Sequence, residues 1–524
     1  MHLDLDTFGE TVHGGNVARM YDETAAVRGD APALESHGEI LTHEELRAVS
    51  RAVAGGLREL GVEQTDPVMV YLPNCPQYVI TSLACFRAGS PVSPVNPQYR
   101  SRELVHQLTD TGATAVITHA SLREHLADAI AEIDADPTVI TVGDRDAMPE
   151  TDTHFDDVRG EPTTVELDGD AVASLPYTSG TTGQPKGVRL THDNIRAQLL
   201  TTITVRANDL SPDEENSLVW LPLYHITGFI HTALQPLARG GTLYVRSAAN
   251  WDAEAAMATI ERDAISTYIG VTAMYADMVA DDSFGDYDLS SLVTVSEGGA
   301  KLTGAVQDAF EETANVAIRE GYGLTETTGS THTQVGALYG PRHGTVGQPA
   351  RHTDCRIVDS SGEEVPLGES GEILVRGPQV MDGYHDRPDA NERAFTDAGF
   401  FRTGDIGRRD REGYYEIVDR KKHVIVTAGY NVYPSEVENL LAEHEAVREA
   451  AVVGVPDERR NETVKAFLVP TNGDPENPGV TIDEIQQFSL DTIAPYKHPR
   501  EVAFVAELPR TASGKIQKYK LTGE

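Results

Sequence analysis

Cysteine and lysine are both scarce in this chain of 524 residues. The three cysteines, Cys75, Cys85 and Cys355, are odd in number and include no Cys-x-x-Cys pair. They cannot frame a disulfide scaffold or a zinc site, and a reducing compartment is expected. No apolar run approaches the roughly 20 residues of a membrane-spanning helix. The opening residues, Met1-His2-Leu3-Asp4-Leu5-Asp6, lack the basic start and apolar stretch of a signal peptide, so the cytoplasm is the expected location. Basic residues number 43 against 82 acidic ones, a formal net charge of −39. Such a surface repels nucleic acid and anionic lipid, and neither is an expected partner. Self-repulsion on this scale is tolerable where salt screens it, since the Debye length falls to ~3 Å near 1 M. A halophile's cytoplasmic protein is therefore expected. Nine lysines remain, at 186, 301, 421, 422, 465, 497, 515, 518 and 520. A surface that has shed lysine makes each retained one a candidate for function.

What is present points to an α/β protein. Hydrophobic residues make up 40% of the chain, and the apolar positions recur regularly enough to exclude wholesale disorder. At this length more than one domain is expected. Thr42-His43-Glu44-Glu45 is a capping box, followed at helical spacing by Leu46, Val49, Val53, Leu57 and Leu60, with Gly61 as the stop. Residues 68–72 read as a strand after Pro67, 115–118 and 138–142 as further strands, and 122–133 as a helix. This alternation predicts parallel sheets. Residues 145–170 are acidic and loop-like. Near residue 419 the pattern changes. Residues 413–418 read as a strand, and Asp419-Arg420-Lys421-Lys422-His423 is a basic cluster in an acidic protein. Beyond it Ser435-x-x-Glu438 and Thr481-x-x-Glu484 read as capping boxes, residues 450–455 and 465–469 as strands, and 495–499 as a turn. About a hundred residues of this kind suffice for a small α+β domain.

The densest chemical signal is Tyr177-Thr178-Ser179-Gly180-Thr181-Thr182-Gly183-Gln184-Pro185-Lys186-Gly187. Residues this small cannot pack a core, but their hydroxyls, glycine N–H groups and one lysine can wrap a polyphosphate. A strand carrying Val172 and Leu175 leads in, and Leu190 follows. The Gly-x-x-x-x-Gly-Lys-Ser/Thr loop of P-loop enzymes is excluded, since Pro185 precedes the lysine and Gly187 follows it. Taken alone, the segment is equally a flexible surface loop.

Other segments in matching order resolve that choice. They are Pro222-Leu223-Tyr224-His225, Gly321-Tyr322-Gly323-Leu324-Thr325-Glu326-Thr327, Arg402-Thr403-Gly404-Asp405, Asp419-Arg420-Lys421-Lys422 with Gly429-Tyr430-Asn431-Val432-Tyr433-Pro434, and Pro509-Arg510-Thr511-Ala512-Ser513-Gly514-Lys515-Ile516. With residues 177–187, the chain resembles the adenylate-forming superfamily of acyl-CoA synthetases, nonribosomal adenylation domains and luciferases. The resemblance implies a large N-terminal domain of stacked α/β subdomains, 1–419, and a small mobile α+β C-terminal domain, 420–524. It also implies two half-reactions. ATP and a carboxylic acid give acyl-adenylate and pyrophosphate, and the thiol of coenzyme A then takes the acyl group.

Residue roles follow from the same resemblance. Thr178, Ser179, Gly180, Thr181, Thr182, Gly183 and Lys186 would cradle the phosphates, Thr182 counting among the catalytic residues. Glu326 would hold Mg²⁺, as a carboxylate beside a polyphosphate needs a cation between them. Tyr322, between Gly321 and Gly323, would stack on adenine, with Thr325 near the α-phosphate and Gly299 and Ala300 passing close to nucleotide and acyl group. Asp405 suits the ribose hydroxyls, with Arg420 reaching ribose or phosphate. Lys515 would stabilise charge during adenylation and leave for the second step. Lys422 would be the hinge, Gly429 and Tyr430 would border the coenzyme A channel, and His225 would gate the acyl pocket. Tyr224, Thr272 and Phe400 replace residues common in the family, which alters pocket shape.

A medium- or long-chain fatty acid is the first expectation for the substrate, and an aryl acid the second. A stand-alone adenylation enzyme loading a carrier protein is a further alternative, with an oxygen-using luciferase more remote. A non-catalytic acyl-nucleotide sensor would have lost charged residues that are all present here: Lys186, Glu326, Asp405, Arg420 and Lys515. Oligomeric state is not readable from the sequence.

Overall fold

The computed structural model describes residues 14–178, 185–206, 210–298, 304–427, 430–457, 459–510 and 516–522. Contacts divide the chain into two compact units, Met1–Asp354 with Val375–Phe401, and Cys355–Leu374 with Arg402–Glu524. The sequence-based boundary at 419/420 falls inside the second unit, because strands before it group with the C-terminal residues. It stands below as a proposed hinge, distinct from the edge of a compact unit.

The first unit is built on two large sheets, as the α/β alternation predicts. In one, the strands run in the order Gln348–Pro349, Gly329–Thr333, Ile318–Leu324, Thr294–Gly298, Thr267–Gly270, Asn216–Val219, Thr242–Val245, Pro32–Ser36, Glu39–Thr42. The six from Ile318–Leu324 to Pro32–Ser36 are all parallel. Helices Ala253–Arg262, Thr272–Ala280 and Gly304–Ala314 connect them, and Met257, Ile260, Tyr268, Tyr275 and Phe310 fill the core between. The second sheet has a parallel centre, Val92–Pro94, Val68–Tyr71, Ala115–His119, Thr138–Val142 and Thr153–His154. Its other side is antiparallel, through Val172–Ser174, Lys186–Thr191 and Gly383–Tyr384.

Local signals fix the ends of these elements. Thr42 and Glu45 form the expected reciprocal box at the start of helix His43–Glu59. The helix expected over 122–133 is shorter, Arg123–Ile130. The His119 ring accepts the Ser121 N–H and opens a 3-10 turn, Ala120–Leu122, before it.

The second unit holds a four-stranded sheet, in the order Asp354–Val358, Gly371–Arg376, Phe401–Arg409, Tyr415–Arg420. A five-stranded sheet follows, centred on the long antiparallel pair Val447–Asp457 and Asn461–Pro470. Ile425, Val432, Val437, Leu441, Val452, Val464 and Ile485 make its core. Thr481 and Glu484 form the second expected capping box. The box expected at Ser435 does not form. Pro434 occupies the first turn of helix Pro434–Ala442, Tyr433 is the N-cap, and the Ser435 hydroxyl donates to the Val418 carbonyl. Glu438 instead accepts the Val452 N–H at 2.6 Å.

Candidate active site

Parallel α/β sheets bind ligands beyond the carboxyl ends of their strands. In the first sheet those ends deliver the residues singled out by sequence. His225 follows Asn216–Val219, Gly298 ends Thr294–Gly298, and Tyr322, Gly323 and Thr325 lie at or just past the end of Ile318–Leu324. Their convergence is a consequence of strand order.

The phosphate-loop segment is anchored as a hairpin, with Thr178 opposite Lys186 and Tyr177 opposite Gly187. An added Cβ at Gly187 would lie 3.2 Å from the Tyr177 ring, so the small residue lets the ring close over the strand. The Tyr177 hydroxyl donates to Asp110 at 2.8 Å, and Arg387 ion-pairs with the same carboxylate. Burial and Asp110 push the Tyr177 hydroxyl far above its ordinary value, so it stays a donor. The His106 Nε2 lies 2.8 Å from the Pro185 carbonyl oxygen and donates to it. The two ends of the loop are thus tied to helix Ser101–Thr111.

Glu326 sits in a single 3-10 turn, Thr325–Thr327, closed from both sides. The Thr327 hydroxyl accepts the Leu324 N–H at 2.9 Å, and the Thr328 hydroxyl donates to the Gln379 carbonyl at 2.7 Å. The Met381 N–H donates to the Glu326 carbonyl at 2.8 Å. Gly323 is required here, since a Cβ would come within 1.9 Å of the Gly329 carbonyl oxygen. Tyr322 lies 5.6 Å from the His332 ring across the strand pair. Burial pushes His332 down to about 3, so a neutral imidazole faces Tyr322 at neutral pH.

The chain returning from Gln379 reaches the Lys186 strand, where Tyr384 pairs with Val188 and the His385 N–H donates to the Gly187 carbonyl at 2.9 Å. The Tyr384 hydroxyl donates to Glu326 Oε1 at 2.9 Å, and the Lys186 Nζ lies 4.9 Å from the centre of its ring. The lysine and glutamate singled out by sequence therefore meet on one tyrosine that sequence reasoning missed.

Past His225, a π-helical segment Gly228–Leu234 carries His231 inward. His231 Nε2 lies 3.1 Å from the Ser330 hydroxyl and 3.3 Å from its N–H, and a Cβ on Gly329 would come within 2.6 Å of that ring. Half-buried His225 accepts the Thr227 N–H at 3.3 Å. A Cβ on Gly298 would meet one described atom within 4 Å, the Thr227 methyl at 3.8 Å. The inward turn of His231 was also missed, since a π-helix breaks the periodicity by which residues are assigned to faces.

In the second unit, Asp405 and Arg420 are partners across antiparallel strands, with Nε to Oδ1 2.6 Å apart. Asp405 is almost wholly buried and Arg420 is partly exposed. Lys421 binds Glu372 at 2.8 Å. Loss of solvent, then the Arg420 charge, hold the Lys422 ammonium below its ordinary value, with Asp405 opposing. Tyr430 is exposed and stacks on Tyr496 at 4.6 Å. Ser179, Gly180, Thr181, Thr182, Gly183, Gly299, Ala300, Gly429 and Lys515 lie outside the described residues.

Among the described residues, no group of three or more His, Cys, Asp or Glu side chains could hold a metal alone. Mg²⁺ accompanying a nucleotide needs only one or two carboxylates, with phosphate oxygens completing its shell. Glu326, one tyrosine away from Lys186, fits that donor set. Nor is any helix, among the described residues, long and apolar enough to cross a membrane.

Comparison with known proteins agrees with this geometry. The family model described as AMP-binding enzyme matches residues 21–385, and that of the AMP-binding enzyme C-terminal domain matches 436–515. The chain is 37% identical over 489 residues to a feruloyl-CoA synthase of Amycolatopsis, covering 93% of this chain and 94% of that one. It is 32% identical over 537 residues to a long-chain-fatty-acid–CoA ligase of Salmonella typhimurium, covering 97% and 94%. ATP-bound MatB from Rhodopseudomonas palustris superposes with a TM-score of 0.86 at 28% identity, covering 97% and 98%. The chain belongs to the AMP-binding enzyme family, as an AMP-forming acid–thiol ligase that uses ATP and coenzyme A.

Proposed function

We propose that this acid–CoA ligase activates an aryl carboxylic acid. What carries this reading is the higher identity to a feruloyl-CoA synthase, 37%, than to a long-chain-fatty-acid–CoA ligase, 32%.

This order reverses the expectation from sequence, which put a medium- or long-chain fatty acid first. The fatty acid remains the second reading, supported by the long-chain-fatty-acid–CoA ligases among the relatives. Steady-state assays with ATP, Mg²⁺, coenzyme A and a panel of hydroxycinnamic, benzoic and C6–C16 fatty acids test it. The proposal expects kcat/KM highest for an aryl acid, and a fatty-acid maximum would overturn it. Replacing coenzyme A with a carrier protein in the same assay tests the carrier-loading alternative, and absence of AMP with every acid would favour the silent sensor.

The residues divide the work as follows in this reading. Tyr322 stacks on adenine, while Asp405 and Arg420 hold the ribose. Lys186 and the hydroxyls around it, with Thr182, bind the phosphates, and Thr325 lies by the α-phosphate. Gly299 and Ala300 let the chain pass close to the nucleotide. Mg²⁺ held by Glu326 would neutralise charge on phosphate oxygens. A substrate carboxylate oxygen bonds to the α-phosphorus as the bond to pyrophosphate breaks, a step that depends on alignment and charge neutralisation. Lys515 adds positive charge in that step. After rotation at Lys422, the coenzyme A thiolate, entering along Gly429 and Tyr430, attacks the acyl carbon beside His225, and AMP leaves.

A further inference from the structure

Tyr384 touches both charged side chains of the proposed nucleotide site with different parts of one side chain. Its hydroxyl reaches Glu326 Oε1 at 2.9 Å, and the face of its ring lies 4.9 Å from the Lys186 ammonium. The tyrosine is itself held firmly. Its N–H donates to the Asn391 side-chain oxygen at 2.7 Å, and its carbonyl accepts from the same amide at 3.0 Å. Its strand pairs with the strand that carries Lys186, and the preceding residues bind the Glu326 backbone through Met381. Gly383 supports this path with a φ of 144°, a backbone conformation that side chains rarely adopt.

A hydrogen bond to a carboxylate is charge-assisted and fixes the plane of the acceptor. A lysine over an aromatic face is held by the ring quadrupole without surrendering its charge to an anion. Where opposite charges are left free to pair directly, ATP and its metal have to separate them first. We propose that Tyr384 is a positioning residue, which orients Glu326 for the metal with its hydroxyl and steadies Lys186 for phosphate with its ring. The proposal rests on the assignment of Lys186 and Glu326 to phosphate and Mg²⁺.

Two substitutions separate the two halves of the role. Tyr384→Phe keeps the ring and removes the hydroxyl, while Tyr384→Leu removes both. ATP binding to the full-length enzyme is measured by calorimetry, without acid or coenzyme A, over a series of Mg²⁺ concentrations and in EDTA. Tyr384→Phe is expected to raise the Mg²⁺ concentration for half-maximal ATP binding about tenfold, with metal-free affinity within about twofold of wild type. Tyr384→Leu is expected to weaken metal-free ATP binding as well, again by about tenfold. An unchanged Mg²⁺ dependence in Tyr384→Phe overturns the proposal, as does equal loss in both variants under both conditions, which marks a packing role. Should Tyr384→Leu fail to fold, the Phe variant decides alone. Lys186→Ala and Glu326→Gln serve as references. Wild-type binding in these two would refute the site assignment itself, whereas losses there with an unaffected Tyr384→Phe would refute only the positioning role.

Discussion

The carboxylate of Asp419 accepts the backbone N–H of Ser435 at 2.9 Å, capping a helix from 16 residues away. The same carboxylate accepts the Arg420 N–H at 2.7 Å and faces the His423 ring at 3.7 Å. Burial alone would raise its pKa. His423, the Ser435 N–H, the Lys518 charge and the Arg420 N–H together outweigh burial and hold it below its ordinary value. A carboxyl depressed on folding stabilises above its unfolded pKa, about 3.9, and loses that contribution as pH falls through the folded value. Asp419→Asn is therefore expected to cost about 1–3 kcal/mol at neutral pH. Urea unfolding at pH 7.5 and pH 3 checks this, with the gap between variant and wild type narrowing at the lower pH.

The two half-reactions give a second prediction. Lys515→Ala is expected to slow acyl-adenylate formation by about 10²-fold or more, in line with loss of a charged group from a transition state. Thioester formation from supplied acyl-adenylate should change far less. Single-turnover assays of each step make the comparison, and equal loss in both would refute a role confined to adenylation.

Gly323→Ala should behave differently from a charge removal. Its new methyl would meet the Gly329 carbonyl at 1.9 Å, so the strands on either side of the Glu326 turn must separate. Overpacking of this kind costs about 1–3 kcal/mol, and ATP affinity should fall with stability. Thermal unfolding with and without ATP measures both effects. A variant with wild-type midpoint and wild-type ATP shift would count against the tight turn.

Two buried histidines predict acid sensitivity in the first unit. His192 accepts the Val17 N–H at 3.1 Å, and burial followed by the Arg196 charge pushes it down to about 3. Burial pushes His332 to the same value. Between the ordinary value of about 6.5 and about 3, the unfolded chain binds one more proton at each site. Stability is complete above about pH 6.5 and falls below it by roughly 1.4 kcal/mol per pH unit for each histidine. Unfolding free energies from pH 7.5 to 5 should show this slope. His192→Gln, which keeps an acceptor, should remove about half of it.

The charge of −39 carries its own expectation. If the chain works in a salt-rich cytoplasm, raising KCl from dilute buffer to about 2 M should increase both melting temperature and kcat/KM for ATP, because screening relieves self-repulsion and eases anion approach. Full activity in dilute buffer with no gain from salt would set the halophile proposal aside.

The segments of the proposed site were legible because the chemistry proposed for them demands contiguous small and charged residues. Residues 177–187 and 321–327 announce themselves without any tertiary information, and the capping boxes at Thr42 and Thr481 formed as their spacing implies. What escaped notice depends on contacts across the chain. Tyr384 meets its glutamate 58 residues earlier, and no local pattern marks a tyrosine for that purpose. Ser435 had the spacing of a capping box, but Pro434 shifted the helix start, so a distant aspartate does the capping. The strand expected over 450–455 runs from Val447 to Asp457, since pairing with its long neighbour extends it past the apolar residues.

The return of the chain to the Lys186 strand also bears on how the protein is made. Arg189 pairs with Gly383, so until that segment emerges the strand Lys186–Thr191 is the border of its sheet. The gap is about two hundred residues, which at 5–20 residues per second is roughly 10–40 s of synthesis. Throughout that interval a ladder of unpaired backbone groups faces the crowded interior of the cell. Positive charge along a strand discourages pairing with foreign chains, and both Lys186 and Arg189 lie on this one. The lysine proposed to meet phosphate in the finished enzyme would thus first guard the nascent chain against aggregation.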